Sequence, residues 1–425
     1  MHPARSPRRL RRTLAVTTGL VMSSTLLTAC GSGGKTVLNW YINPDTGGQA
    51  AVAKNCSTAK YTIQTQQLPQ DAGQQRVQLA RRLAAKDSGI DLMSIDPPYT
   101  AELSNAGYLA KIPASVQAEL KKQSFKGATT AVTWGGQVVA FPFWSNVQVL
   151  WYRKSFAQKA GLDMSKPVTW NQIIDAASKD GGTVGVQANK YEGYVVWINA
   201  LIAGAGGTIV DQAAKGIDAT IAISSPAGQK AAAVIEKLAK SKAAEPDLSV
   251  SSEGTVLTPF VTPKGAFMVN WTFILTNFAT DKATLKDLGW APYPETVAGK
   301  SSAPPYGGIG IGVSSSSNHV ADALAAARCM VKPANQGVNA VLTGNMPSSP
   351  AGYQDPKLHK IYPADLLKLF QDSLNRAAPR SVTPYWSDIS GAIQSIWHPP
   401  ASVNASTPQK SAAFIRNVLK GRSLL

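Results

Sequence analysis

From residue 36 onward the apolar positions switch between two periods. "TVLNWYI" (36–42) is β-branched and aromatic and predicts a strand, and "TGGQAAVAKNC" (46–56) predicts a helix behind it. "KYTIQTQQL" (60–68) reads as the next strand. "AGQQRVQLARRLAAKD" (72–87) sets Val77, Leu79, Ala80 and Leu83 to one side and Arg76, Arg81, Arg82 and Lys86 elsewhere, the pattern of an amphipathic helix. "IDLMSID" (90–96) is a buried strand that ends at Asp96-Pro97-Pro98. Strand, helix, strand, helix, strand makes two βαβ units and predicts a mostly parallel sheet. Ligands of such sheets bind beyond the carboxyl ends of the strands. Asp96 falls at one such end, and Asn43 and Asp45 fall at another.

The alternation continues. "GGQVVAFPF" (135–143) and "VQVLWYR" (147–153) predict two strands joined by the polar link Trp144-Ser145-Asn146. "TWNQIIDAASK" predicts a helix opened by Thr169 as N-cap. "EGYVVWINALIAGA" and "PAGQKAAAVIEKLAKS" are further helices. "GAFMVNW" is strand-like and "TFILTNFAT" helical, "GGIGIGVS" is a Gly-interleaved strand, and "HVADALAAARCMVK" is the helix behind it. Beyond about residue 335 the pattern is largely helical.

Before residue 36 the pattern breaks. Arg5, Arg8, Arg9, Arg11 and Arg12 precede an apolar run, and no acidic residue lies among them. The run is too short and too polar for a span of ~20 residues, so basic head, apolar run and small-residue stop predict an export signal. Leu27-Thr28-Ala29-Cys30 resembles the lipobox of bacterial lipoproteins, in which the cysteine thiol is alkylated with diacylglycerol and becomes the mature N-terminus. The alternative is an ordinary signal peptide ending near a chance cysteine. On the lipobox reading residues 1–29 are a signal peptide, and residues 30–35 are a lipid-anchored flexible tether rich in glycine. The expected location is the outer face of the cell membrane, held by a lipid on Cys30.

The 425-residue chain carries a formal charge of +17, of which five charges leave with the leader. The rest is dispersed, with short patches such as Arg81-Arg82 and Lys121-Lys122, and no zinc-finger, RNP-type or basic-zipper pattern accompanies it. Nucleic acid is therefore not the expected partner. Besides Cys30 there are two cysteines, Cys56 and Cys329. In an oxidising exterior the pair is either bridged or held as two buried thiols. Two cysteines and scattered histidines offer no metal-ligand spacing, so neither metal nor cofactor is expected.

Enzyme signatures are missing from the sequence: no G-x-S-x-G, no H-E-x-x-H, and no P-loop. "GGIGIG" keeps its glycines inside a strand-like run, unlike a dinucleotide fingerprint. Carboxylates such as Asp96, Glu102, Glu192, Glu253 and Asp388 leave a glycoside hydrolase open as an alternative. Tryptophans in loops and at strand ends point elsewhere. A pyranose has an apolar C–H face and a rim of hydroxyls, which suits an aromatic ring surrounded by Asp, Asn, Glu and Arg. Trp271 and Trp386 are the two least easily read as core fillers.

"GGQVVAFPFWSNVQVLWYRKSFAQKAGLDMSKPVTWNQIIDAA" (135–177) resembles the central motif of the extracellular sugar-binding proteins of bacterial ABC importers, and "GAFMVNWTF" and "GGIGIGVSSSSNHVADALAAARC" are similar to that family's later segments. The likeness extends over essentially the whole mature chain. Within the family, "QRVQLARRLAAKD", "LMSIDPPYTAEL", "NVQVLWYR", "VQANKYEGYVVWINALIAGAGG", "VNWTF" and "RSVTPYW" look most like the mycobacterial receptors for trehalose. The resemblance implies a two-lobed α/β fold of the periplasmic-binding-protein type (type II, among the larger sugar-binding proteins), with the ligand cleft between lobes. The expected lobes are 36–143 with 285–332, and 144–284 with 333–425. It implies a non-enzymatic, monomeric receptor that hands a disaccharide, most closely trehalose, to an ABC permease; a receptor for maltose or another α-glucoside is the alternative within the family. Carried over residue by residue, it puts Asp96, Asn146, Glu253, Trp271, Gly308 and Arg380 at the sugar, with Asn43, Gln75, Glu192 and Trp386 as weaker candidates. It also puts Cys56 and Cys329 where those receptors carry a cysteine pair. This chain is shorter between Trp271 and Gly307, and it has Tyr385-Trp386 where the relatives have one aromatic.

Overall fold

The computed structural model describes residues 35–425; the stretch expected to be a signal peptide (1–29), Cys30 and Gly31–Gly34 lie outside the described residues. Thr36–Ile42 (β1), Gly48–Cys56 (α1), Tyr61–Gln67 (β2), Ala72–Ala84 (α2), Leu92–Ile95 (β3) and Pro97–Asn105 (α3) follow the expected alternation. β1 runs parallel to both β2 and β3. All four residues of β3 are buried, as in a strand covered on both faces. Its one polar member is satisfied: Trp40 Nε1 donates to Ser94 Oγ at 3.1 Å, and Ser94 donates to Gln49 Oε1 at 2.8 Å. Asp71 caps α2 by accepting from Gln74 N at 2.8 Å. The helix buries Leu79 and Leu83 and leaves Arg81 exposed, as its periodicity demands.

Next come Phe141–Val147 (β4), Val149–Arg153 (β5), Trp170–Asp180 (α4), Thr183–Gly185 (β6), Glu192–Gly204 (α5), Pro226–Lys240 (α6), Gly265–Asn270 (β7), Leu288–Ala291 (β8) and Tyr306–Val313 (β9). The helices Val320–Met330 (α7), Pro333–Thr343 (α8), Ala364–Arg376 (α9), Trp386–Trp397 (α10) and Thr407–Leu419 (α11) complete the chain. Thr169 caps α4 in a full capping box with Gln172.

Three expectations are corrected. Trp144-Ser145-Asn146 is not a link but part of β4, where Gly308 and Gly307 of β9 pair with Ser145 and Asn146. The polar residues are tolerated there because each finds a partner, Ser145 Oγ lying 2.9 Å from Tyr306 OH. The actual link to β5 is Gln148 alone. Secondly, the first sheet is mixed. Its order is β2-β1-β3-β9-β4, with β9 antiparallel to β3 and β4. A parallel neighbour needs a crossover within the same lobe, and β9 arrives from the other one. Thirdly, "TFILTNFAT" holds only a single helical turn, Ile274–Asn277, and Thr272 ahead of it is tied by its hydroxyl to Gly344 O at 2.7 Å.

The second sheet has the order β8-β5-β7-β6, with β7 antiparallel to β5 and parallel to β6. Two α/β lobes result, and the chain passes from the first sheet to the second at Gln148 and back to the first between β8 and β9. β8 pairs with β5 in the second sheet, and α8 packs against α1 of the first lobe. A disulfide between Cys56, at the end of α1, and Cys329 in α7 ties those two helices together, with Cα atoms 5.8 Å apart. Of the two states the sequence left open for this pair, the bridge is the one found.

Candidate functional site

The carboxyl ends of β1 and β3 carry the first group of polar side chains. Asp96 stands immediately before α3, at the N-cap position, but makes no side-chain cap bond, since Pro97 and Pro98 take the first helical turn. Its carboxylate is thereby free to turn toward the other lobe. There it meets Arg380, whose Nη2 donates to Asp96 Oδ1 at 2.8 Å. Nη1 of the same guanidinium donates to Glu192 Oε1 at 2.7 Å. One arginine fork thus joins a carboxylate of the first lobe to a carboxylate of the second, with side-chain exposures of 5% for Arg380, 17% for Asp96 and 4% for Glu192.

Local structure fixes each member. Glu192 opens α5, where the helix dipole favours a negative charge. Its oxygens also accept from Trp386 Nε1 at 2.8 Å, from Tyr99 OH at 3.4 Å and from the Ser390 hydroxyl. Arg380 lies on a stretch held to β9's entry, where Ala378 N donates to Pro304 O at 2.8 Å and Tyr306 N donates to Ala378 O at 3.3 Å. Burial pushes the Asp96 carboxyl up to about 6, with Arg380 pulling it down and Glu192 and Glu253 pushing it further up. For Arg380 burial acts against the charge, but Asp96 and Glu192 more than offset it and hold the guanidinium above its ordinary value.

A second group surrounds Glu253. Its Oε2 accepts from Tyr191 OH at 2.7 Å, and its backbone oxygen accepts from Asn270 Nδ2 at 2.9 Å. Burial raises this carboxyl too, while hydrogen bonds from Tyr191 and the Trp271 side chain work against the shift. Trp271 is half-buried, its backbone N donating to Asn270 Oδ1 at 2.9 Å. The ring lies over β9: a Cβ on Gly307 would come within 2.6 Å of it. Gly308 has φ +143°, and a Cβ there would sit 2.4 Å from Trp144 O, so only glycine lets β9 pass β4 at this point.

Two expected residues have structural duties. Asn146 Oδ1 accepts from Thr272 Oγ1 at 3.1 Å and Met346 N at 3.0 Å, and its Nδ2 donates to Asn345 Oδ1 at 2.8 Å, which joins three chain segments. Trp386 is wholly buried with its N–H spent on Glu192, so it supports that carboxylate and offers no ring face to a ligand. Asn43 and Gln75 pair with each other at 2.7 Å, while Asn43 Oδ1 is buried without a protein partner. The structure therefore gathers Asp96, Glu192 and Arg380 into one bonded group and Glu253, Trp271 and the Gly307–Gly308 strand into another, with Asp96 and Glu253 close enough to repel. Tyr99, Tyr191 and Ser390 went unnoticed in the sequence. Tyr191 adjoins Glu192 and carried a signal; Ser390 carried none, since its partner is almost two hundred residues away.

Among the described residues no group of three or more His, Cys, Asp or Glu side chains gathers as a metal centre. Residues 44–337 match the model of the bacterial extracellular solute-binding proteins. The chain belongs to that family. A probable ABC transporter-binding protein of Deinococcus radiodurans is 24% identical over 351 residues, covering 79% of this chain and 80% of that one. Among solved structures, maltose-bound MalE3 of T. maritima superimposes with a TM-score of 0.78 at 22% identity, over 91% of this chain and 99% of that one. UgpB from Mycobacterium tuberculosis, in complex with glycerophosphocholine, reaches 0.75 at 16% identity, over 92% and 100%. At such identities the likeness fixes the fold: a two-lobed solute-binding protein of an exported family. The polar groups described above lie where its lobes meet.

Proposed function

We propose that this solute-binding protein captures a disaccharide between its lobes and delivers it to an ABC permease without chemical change. The observation that carries the reading is the Arg380 fork between Asp96 and Glu192, set beside Glu253 and the Trp271 ring. Carboxylates accept from sugar hydroxyls, the guanidinium donates to them, and the half-buried indole offers a face for pyranose C–H groups. Charge-assisted bonds are worth about 1.5–3 kcal/mol each. Four or five of them, less the cost of closure, suit micromolar binding at about −8 kcal/mol. The free space against Arg380 is only about 10 Å³, room for about one water. Entry of a sugar therefore requires the lobes to part and close again, the hinge motion of binding proteins.

Trehalose is the favoured ligand, because the stretches around Asp96, Glu192, Trp271 and Arg380 resemble the mycobacterial trehalose receptor LpqY; maltose or another α-glucoside is the second reading. The working lobes are 36–147 with 306–343, and 149–291 with the remainder. Lipidation at Cys30 would keep a monomeric receptor at the outer membrane face. Titration calorimetry of the mature domain with trehalose, maltose and glucose tests the proposal, with the recovered sugar checked for cleavage. Micromolar binding of intact trehalose supports it, a response to maltose alone moves the specificity, and released glucose replaces the receptor with a glycoside hydrolase.

A further inference from the structure

A wholly buried residue holds the second group of the site together. Asn270 ends β7, opposite Val149 of β5, and has no exposed surface. Its main chain is fixed from the neighbouring strand as well, where Trp151 Nε1 donates to Asn270 O at 3.1 Å. A buried amide has to find partners for both its oxygen and its nitrogen. The Asn270 side-chain oxygen accepts from Trp271 N at 2.9 Å, and its nitrogen donates to Glu253 O at 2.9 Å. One amide thus bonds the main chains of the two residues whose side chains make up that group.

Glu253 has little other support for its main chain. Ser251, ahead of it, is pinned: its hydroxyl lies 2.7 Å from Val186 O and accepts from Ala188 N at 3.1 Å. Beyond that point the chain turns back on itself, with Ser252 N donating to Thr255 Oγ1 at 2.8 Å and with Gly254 and Thr255 exposed. Among the described residues, the main chain of 252–255 receives one hydrogen bond from outside 252–257, and Asn270 supplies it.

The side chains meet too, since the Trp271 indole hydrogen-bonds the Glu253 carboxylate. The bonds therefore close a ring, from the amide to Glu253, through the carboxylate to the indole, and back through Trp271 N. Such a ring fixes the carboxylate and the aromatic face relative to each other. A sugar that stacks on the one while donating to the other needs both in place together.

We infer that Asn270 is a positioning residue: its side-chain amide sets the Glu253 carboxylate and the Trp271 ring in register before a sugar arrives. This rests on the sugar-receptor reading and deepens it, because the amide acts through those two groups and not on the ligand.

The test is calorimetry with trehalose and maltose on the intact mature domain, for the wild type, Asn270→Ala, Trp271→Ala and the double variant. Asn270→Ser, which keeps a hydroxyl on the strand, replaces Asn270→Ala should the latter not fold. Residues joined in one network are non-additive, so Asn270→Ala should weaken binding about tenfold in the wild-type background but less than about twofold beside Trp271→Ala. An amide that serves stability alone gives the same loss in both. A second readout needs no sugar. In protein labelled with fluorotryptophan, the Trp271 fluorine resonance, assigned through Trp271→Phe, should move or broaden in the Asn270 variant. The resonances of Trp40, in β1, and Trp397, at the end of α10, should stay. Sugar affinity unchanged in the Asn270 variant, an equal loss in both backgrounds, or an unmoved Trp271 resonance overturns the inference and leaves the receptor intact. No binding of either sugar to the wild type overturns the receptor reading and this inference with it.

Discussion

Arg380 Nη2 donates to Asp96 Oδ1 at 2.8 Å while Nη1 of the same guanidinium holds Glu192 at 2.7 Å. The two carboxylates belong to different lobes, so one side chain couples the lobes. Arg380→Ala would leave two buried carboxylates facing each other. The expected loss is about 3–5 kcal/mol of stability, the usual cost of breaking a buried pair from one side. Arg380→Lys keeps the charge but not the fork, so it should recover part of that stability and little of the sugar binding. Thermal melts and calorimetry on the two variants separate these effects; equal sugar affinity in Arg380→Ala and wild type would remove Arg380 from the site.

The pH dependence follows from Asp96. Burial pushes its carboxyl from 3.8 up to about 6. Between those values the folded chain holds a proton that the unfolded chain has released. Its contribution to folding stability is therefore greatest below 3.8, falls as pH rises through the window, and is level above about 6. Sugar binding runs the other way, since the charged carboxylate is the better acceptor. At about pH 5 only about a tenth of the free protein carries that charge, so affinity should drop by about tenfold relative to about pH 7.5. Asp96→Asn should bind weakly and equally at both pH values. A wild-type affinity that is flat across this range would contradict the role given to Asp96.

The two glycines of β9 predict different phenotypes. At Gly308 a methyl meets Trp144 O at 2.4 Å on a backbone at φ +143°, so Gly308→Ala should cost about 1–3 kcal/mol of stability. At Gly307 the obstacle is the Trp271 ring, 2.6 Å away, and a side chain yields more easily than a strand. Gly307→Ala should therefore melt close to wild type yet bind sugar several-fold more weakly, about 1 kcal/mol, as the indole is displaced. Calorimetry and melting curves on both variants check the contrast.

The Cys56–Cys329 bridge closes a loop with a sequence separation of 273. Cys56→Ser with Cys329→Ser should lower stability by about 2–5 kcal/mol. Sugar affinity should change little, because the bridge fastens α1 to α7 on the first lobe's core. A reducing titration followed by thermal denaturation gives the same comparison without mutation.

Much of the fold was legible because local patterns agreed with the tertiary arrangement. The βαβ units from Thr36 to Ile95 formed as their periodicities required, and Thr169 capped its helix. Where the reading failed, a distant partner decided the outcome. Trp144-Ser145-Asn146 reads as a polar link until β9 supplies neighbours for it from more than 150 residues downstream. The antiparallel placement of β9 and the membership of β8 in the second sheet depend on where the chain crosses between lobes, which periodicity does not encode. At the site, residue types suited to sugar pointed to Asp96, Glu253, Trp271 and Arg380. The burial of Trp386 against Glu192 was not legible, because an indole near a turn looks the same whether its N–H faces a ligand or a buried carboxylate.

On the proposed reading, a disaccharide is held between Asp96, Glu253 and Arg380 with a ring on Trp271. A crystal structure of the mature domain grown with trehalose tests it most directly. The expected result is an intact sugar in a closed interlobe site, its hydroxyls within hydrogen-bond distance of those three side chains and one pyranose face against the indole. A sugar bound elsewhere, or none at saturating trehalose and maltose, would contradict it.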